Sequence, residues 1–315
     1  MRVPDLEDEN RHEPEPDLFW NESYYLDWFD SDGRTGGYVR LGLYPNLGVS
    51  WVWCCLVGED EPTVLVVDHE VPLPAPAELK VRAAGLWAEL RVDEPLEHFS
   101  VNVEAYGVAV ADPADAYRGG SAGIRGDRVA VGVDLGWETD GPEEAPEGAL
   151  PWAFHYGLTP RYEVPCRVSG EVTVGDQLVR VDGWGQRDHS WAVRDWWAHG
   201  WIWFSGRLDD GERFHVVVAA DREVGIGYRS TPAGLVGSYE VASVPASGPD
   251  GIPASGIVTL GDVTFELDPV GWAPVLLVNP DDGRESRLPR GLMAVTTDDG
   301  RSGHAWVEYN QPQGG

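Results

Sequence analysis

The chain has 315 residues, with 23 basic against 53 acidic side chains and a formal charge of −30. A chain so poor in cations is unsuited to nucleic acid, whose phosphates need clustered lysine and arginine, and to anionic membrane surfaces for the same reason. At about 150 residues per domain the length suggests two domains, and 42% apolar residues is the composition of a globular chain.

Lys80 is the one lysine, so Schiff-base chemistry would rest on it alone. Three cysteines, Cys54, Cys55 and Cys166, are too few for a disulfide framework and show no zinc-ligand spacing. Met1 to Asp17 has no apolar signal-peptide core, and no run of about 18 apolar residues occurs. The expected setting is a reducing cytoplasm, without an integral membrane segment.

In chain order, residues 1–17 read as a flexible acidic arm. Trp20 to Phe29 is aromatic and strand-like, Asp30-Ser-Asp-Gly33 is a turn, and Tyr38 to Leu43 resumes, so 20–43 reads as a hairpin. Val49–Val57 and Thr63–Val67 form a second hairpin. Strand character continues at 78–82, 86–91 and 97–110. The stretch 111–128 is the best helix-or-loop candidate, with Asp112-Pro113 at a helix start and Gly119-Gly120 stopping it after about two turns, and 139–151 reads as an acidic loop. From 161, strand-like runs follow one another to 309, broken by some of the 39 glycines and 24 prolines. About 20 short strands are too many for one small sandwich. The expected fold is all-β, with an N-terminal domain over 18–160 and a C-terminal domain over 161–315. The break falls between Gly141 and Pro165.

The densest chemistry lies between Asp182 and Trp203. Read as a strand, Arg187, His189 and Trp191 face one way and Asp188 and Ser190 the other. After a bend near Val193–Arg194, Trp197, His199, Trp201 and Trp203 share a face. A carboxylic acid in an apolar pocket has its pKa raised and can act as a general acid, and indole faces stabilise a cation. The segment therefore suits protonation of an alkene. The competing reading is two Arg–Asp ion pairs pinning a corner that Gly183 and Gly185 allow.

The run Gly183-Trp-Gly-Gln-Arg-Asp-His-Ser-Trp191 resembles the Asp-His-(Asn/Ser)-Trp signature of the hydroxyneurosporene synthase, or carotenoid 1,2-hydratase, superfamily and its AttH-like relatives. Trp20-Asn-Glu-Ser-Tyr-Tyr25 and Gly37 to Gly48 resemble a bacterial branch of that superfamily. The resemblance implies two tandem lipocalin-like β-barrel or sandwich domains with an apolar cavity near their interface. It implies cofactor-free hydration, isomerisation, cyclisation or pericyclic chemistry on a hydrophobic, terpenoid-like substrate, around Asp188, His189 and Trp191.

The expected catalytic groups are Asp188 as acid, His189 as its relay, and Asp195. The expected ligand wall is Trp191, Trp197, Trp201, Trp203, Trp51, Trp53, Tyr24, Glu22 and His199. No cofactor or metal is expected, because Asp68-His69-Glu70 diverges on a strand and has no evident partner. His215, between Phe214 and valines, reads as a core histidine. A lipocalin-like binder without chemistry and a pericyclase are the rival readings.

Overall fold

The computed structural model describes residues 4–119, 123–140, 154–155, 160–219, 224–231, 234–246 and 248–314. The expected acidic loop beyond residue 140 and the side chains of His155 and Tyr156 lie outside the described residues. About 66% of the described residues are strand and 4% helix.

The first sheet begins with two hairpins, β1 (Trp20–Asp30) with β2 (Thr35–Tyr44) and β3 (Val49–Gly58) with β4 (Thr63–Pro72). It continues through β5 (Lys80–Ala83), β6 (Leu86–Glu94), β7 (His98–Val110) and β8 (Asp127–Thr139). The short β9 (Phe154–His155), β10 (Arg161–Val174) and β11 (Gln177–Val193) complete it. The order is β4-β3-β2-β1-β11-β10-β8-β7-β6-β5, and a β4–β7 pairing closes the ring. Alternate residues of β1 and its neighbours, among them Leu26, Trp28, Val39, Leu41 and Val52, fill the ring. The helix expected over 111–128 is a single turn, α1 (Asp115–Arg118).

The second sheet runs from β12 (Trp201–Leu208), β13 (Arg213–Ala219), β14 (Val224–Thr231), β15 (Gly234–Ser238) and β16 (Val241–Ala246) to β17 (Ser255–Leu260) and β18 (Val263–Trp272). It ends with β21 (Arg290–Thr297) and β22 (Ser302–Pro312), with the ribbon β19 (Val275–Val278) and β20 (Glu285–Leu288) attached to β22. Its own core holds Phe204, Phe214, Val216, Phe265, Leu267 and Tyr309.

A third apolar cluster lies between the sheets. It joins Tyr25, Phe29, Tyr38, Trp53 and Cys55 of the first to Trp203, Leu292 and Trp306 of the second. The outer face of β1, β2, β3 and β11 thus packs on the outer face of β12, β21 and β22. The sheets part between Val193 and Trp201, not at 160/161, because Arg161–Val193 forms the β10–β11 hairpin that completes the first ring.

The arm is also not the free tail expected. Leu6–Glu9 forms a 3₁₀ turn, Asp8 and Glu9 are buried, and Glu9 Oε1 accepts from Leu96 N at 2.9 Å and from Arg187 Nη1 at 3.1 Å. It stoppers one mouth of the first ring.

Gly183 and Gly185 do not make the expected corner. The β10–β11 register runs unbroken from Arg161↔Ser190 to Val174↔Gln177. A Cβ at Gly183 would stand 2.0 Å from the Phe29 carbonyl oxygen, and one at Gly185 2.0 Å from that of Asp27. The glycines therefore let β1 and β11 approach closely. Gly185→Ala forces backbone apart and should cost about 3 kcal/mol, read as a lower urea midpoint at unchanged slope; an unchanged midpoint would refute this account of the crossing.

Candidate functional site

Period-two alternation on β11 divides the signature between two environments. Arg187, His189 and Trp191 point into the first ring, whereas Gln186, Asp188 and Ser190 point toward the second sheet. The relay expected between Asp188 and His189 is therefore not formed, since no bulge interrupts the strand.

Inside the ring, Glu22 Oε1 accepts from His189 Nε2 at 3.0 Å and from His12 Nδ1 at 2.7 Å, and Glu22 Oε2 accepts from the His12 backbone at 2.8 Å. His189 Nδ1 lies 3.3 Å from the Tyr162 hydroxyl, and its ring stacks on Tyr24 with centroids 4.0 Å apart. Trp191 stacks on His12 at 3.7 Å. Burial pushes the Glu22 carboxyl up, but hydrogen bonds from both histidines outweigh it and hold it below the ordinary value. His12, Glu22 and His189 are also the residues best able to hold a metal, with donor atoms within 4.8 Å of one another. Sequence spacing gave no hint of this trio, because its members come from the arm, β1 and β11. As they stand, the three satisfy one another and fasten the arm.

Between the sheets lies a different cluster, centred on Glu163 of β10, which the sequence reading passed over. Its carboxyl is fully buried, and burial pushes it up to about 7 against the smaller lowering by Arg161, Trp203 and Gln186. Trp203 Nε1 donates to Oε1 at 3.0 Å, and Gln186 Nε2 stands 3.5 Å from Oε2 and 3.3 Å from the Tyr228 hydroxyl. His215 Nε2 lies 3.8 Å from Oε2; burial keeps this imidazole far below its usual pKa, hence neutral. Asp27, also wholly buried, is pushed up by burial and then by Glu308, while the Gln186 backbone donates to its Oδ1 at 3.2 Å. Several carboxyls close together in a dry seam disfavour one another's ionised forms.

Asp188 sits beside this acid but is not one itself. It is opposite Glu163 in the β10–β11 register, and Arg161 Nη2 donates to both carboxyls. Arg187 lies on the other face of β11, as the two-residue period requires, and pairs with Glu9 instead. The clasp comes from β10, and a guanidinium in contact favours the carboxylate. Asp188 and Glu163 thus share the Arg161 guanidinium.

Asp195 is exposed and caps the Trp197 backbone N–H at 2.9 Å, and His199 is exposed. Trp197 is buried with its Nε1 donating to Leu277 O, and Trp201 is half-buried against Trp196. Trp51 packs on Tyr44. Trp53 Nε1 donates to His69 Nε2 at 2.8 Å, and burial, aided by Arg40, holds His69 down at about 4, ready to accept. The indole faces expected to steady a substrate cation already serve the protein's own guanidiniums. Arg40 and Arg290 lie 4.5 and 4.7 Å from the Trp53 ring, and Arg40 and Arg194 lie 5.3 and 5.0 Å from Trp196. Of the expected wall, Trp203 alone touches the acid. The seam is thus lined with charge where an apolar cavity was expected. A narrow cleft walled by Phe29, Trp184, Gln186, Ser205, Arg207 and Arg213 opens beside it.

No helix among the described residues is long and apolar enough to cross a membrane. No curated protein matches the sequence. Solved structures match the fold. An AttH candidate from Nitrosomonas europaea superposes with a TM-score of 0.59 at 13% identity, covering 92% of each chain. Kievitone hydratase from Nectria haematococca gives 0.57 at 12% identity, over 92% of this chain and 88% of that one. CghA, in its structure with Sch210972, gives 0.55 at 11%, over 94% and 88%. At these identities the likeness concerns the fold alone, an all-β fold of lipocalin-like units. Over residues 5–313 the sequence matches the family described as "Domain of unknown function (DUF7064)", and the chain belongs to that family.

Proposed function

We propose that the protein is an acid–base enzyme of the lyase or isomerase type, acting on an unsaturated, mainly apolar small molecule held in the seam between its two sheets. The observation that carries this reading is Glu163, a fully buried carboxyl pushed up to about 7 and contacted by Trp203 from the facing sheet. Such a group is about half protonated at neutral pH, and its protonated form can deliver a proton to an alkene carbon in the general-acid role expected of Asp188. Trp203 offers the developing cation an indole. The Glu163 carboxylate left behind takes up the proton released by the added water or by the neighbouring carbon, while Gln186 Nε2 stands 3.5 Å from its Oε2. Hydratase chemistry on a neighbouring fold supports the same class, although fold alone does not carry activity across.

The test is a panel of prenyl- and polyketide-like alkenes incubated in deuterated water. Hydration adds the elements of one water, and isomerisation or cyclisation changes the composition only by exchange of hydrogen for deuterium. In each case protonation of carbon should fix one deuterium at a non-exchanging position. A product without that deuterium would replace this reading with a pericyclic one, and binding without any product would leave a carrier.

A further inference from the structure

The protein carries thirty more acidic than basic groups, yet part of its buried seam is rich in cations. Arg161 is matched by Asp188 and Glu163, and Arg290 by Glu308 at 2.5 Å. Arg40 and Arg194 have no carboxylate within ion-pair distance among the described residues. Arg40 is 1% exposed; its Nη2 donates to Asn21 Oδ1 at 3.2 Å and to Tyr44 Oη at 3.3 Å, while its Nε and Nη1 have no hydrogen-bond partner among the described residues. Trp53 and Trp196 cover the faces of the guanidinium but leave its donor edge unanswered. The head occupies space that a side chain would deny it, since a Cβ at Gly42 would meet Nη1 at 2.4 Å. Arg194, half-buried in the connection between the sheets, donates to Ser190 Oγ at 2.9 Å and faces the same indole. Burial first, and then the positive charges of Arg161 and Arg40, lower its pKa to about 9, so the three guanidiniums feel one another.

A buried cation with idle donors is costly unless an anion answers it, and guanidiniums are shaped to grip carboxylates by their edges. We propose that Arg40 and Arg194 form an anion subsite that binds the carboxylate of an amphipathic acid, with the apolar body of that molecule lying along the seam toward Glu163. This inference rests on reading the seam as a small-molecule site, but not on the proton transfer.

Decanoate and decanol, which share a chain and differ in the charged head, are the probes, and quenching of tryptophan emission reports binding. Decanoate should bind the full-length protein at least tenfold more tightly than decanol. Arg40→Gln and Arg194→Gln should each shrink that preference, with circular dichroism confirming the fold. Glu163→Gln should keep the preference, so loss of the proton-transfer reading would leave the subsite standing. Equal binding of acid and alcohol, binding of neither, or a preference surviving both arginine substitutions would overturn the proposal.

Discussion

Glu163→Gln should lose on the order of 10²–10⁴ in turnover and yet make the protein more stable at pH 8. Glutamine keeps the shape and can still accept from Trp203 Nε1, but it has no proton to give at that position. The stability effect follows from the raised carboxyl. In the unfolded chain Glu163 titrates near the ordinary 4.5, and in the folded protein at about 7. The folded state therefore holds the proton more tightly. The stability this contributes is fully present below about pH 4.5 and is lost as pH rises through about 7, roughly 3 kcal/mol in all. Above that, an anion sits in a dry seam. Glutamine removes the penalty, so its melting temperature should exceed that of the unsubstituted protein at pH 8 and approach it at pH 4.5. The unsubstituted enzyme should also lose activity above about pH 7. A fully active Glu163→Gln protein, or one with no stability gain at pH 8, would remove Glu163 from the acid role.

Glu9→Ala should destabilise the protein by about 3–5 kcal/mol, although it alters an arm that reads from sequence as free. The carboxylate answers Arg187 at 3.1 Å, and both side chains are almost wholly buried. Without it, a guanidinium stays inside the first ring with Phe99 beneath it and no counter-charge. Burial pushes Glu9 up, but Arg187 and then the Tyr162 hydroxyl outweigh it and hold it below the ordinary value. Its contribution is therefore present above about pH 4.5 and lost as pH falls through the depressed folded value. Chemical denaturation at pH 7 reads the difference; a change under 1 kcal/mol would show that the arm is an ornament.

All-β character and the first hairpins were legible because glycine, proline and aromatic rhythm is a local property. So was the opposition of Asp188 and His189, which needs only the two-residue period. Interior glycines misled: Gly183 and Gly185 read as allowing a corner, whereas β11 runs straight through them. The acid stayed hidden because Glu163 lies in Arg-Tyr-Glu-Val, an ordinary-looking strand. Its meaning comes from partners on β11, β12 and β13, which register and barrel contact supply. The arm was misjudged for a similar reason, since charge composition cannot reveal an arginine waiting inside a ring.

The seam has a consequence for how the molecule comes apart. The outer wall of the first ring carries Tyr25, Tyr38, Trp53 and Cys55, and only the second sheet keeps them dry. That sheet in turn presents Trp203, Trp306 and the Arg290–Glu308 pair on its facing side. Neither half is a self-sufficient module, because each would expose a broad aromatic surface if left alone. Closure of the first ring also waits for β11, far along the chain from its partner β1, and such distant pairing is slow to form. The protein should therefore melt as one cooperative unit, with its seam formed only once both halves are complete.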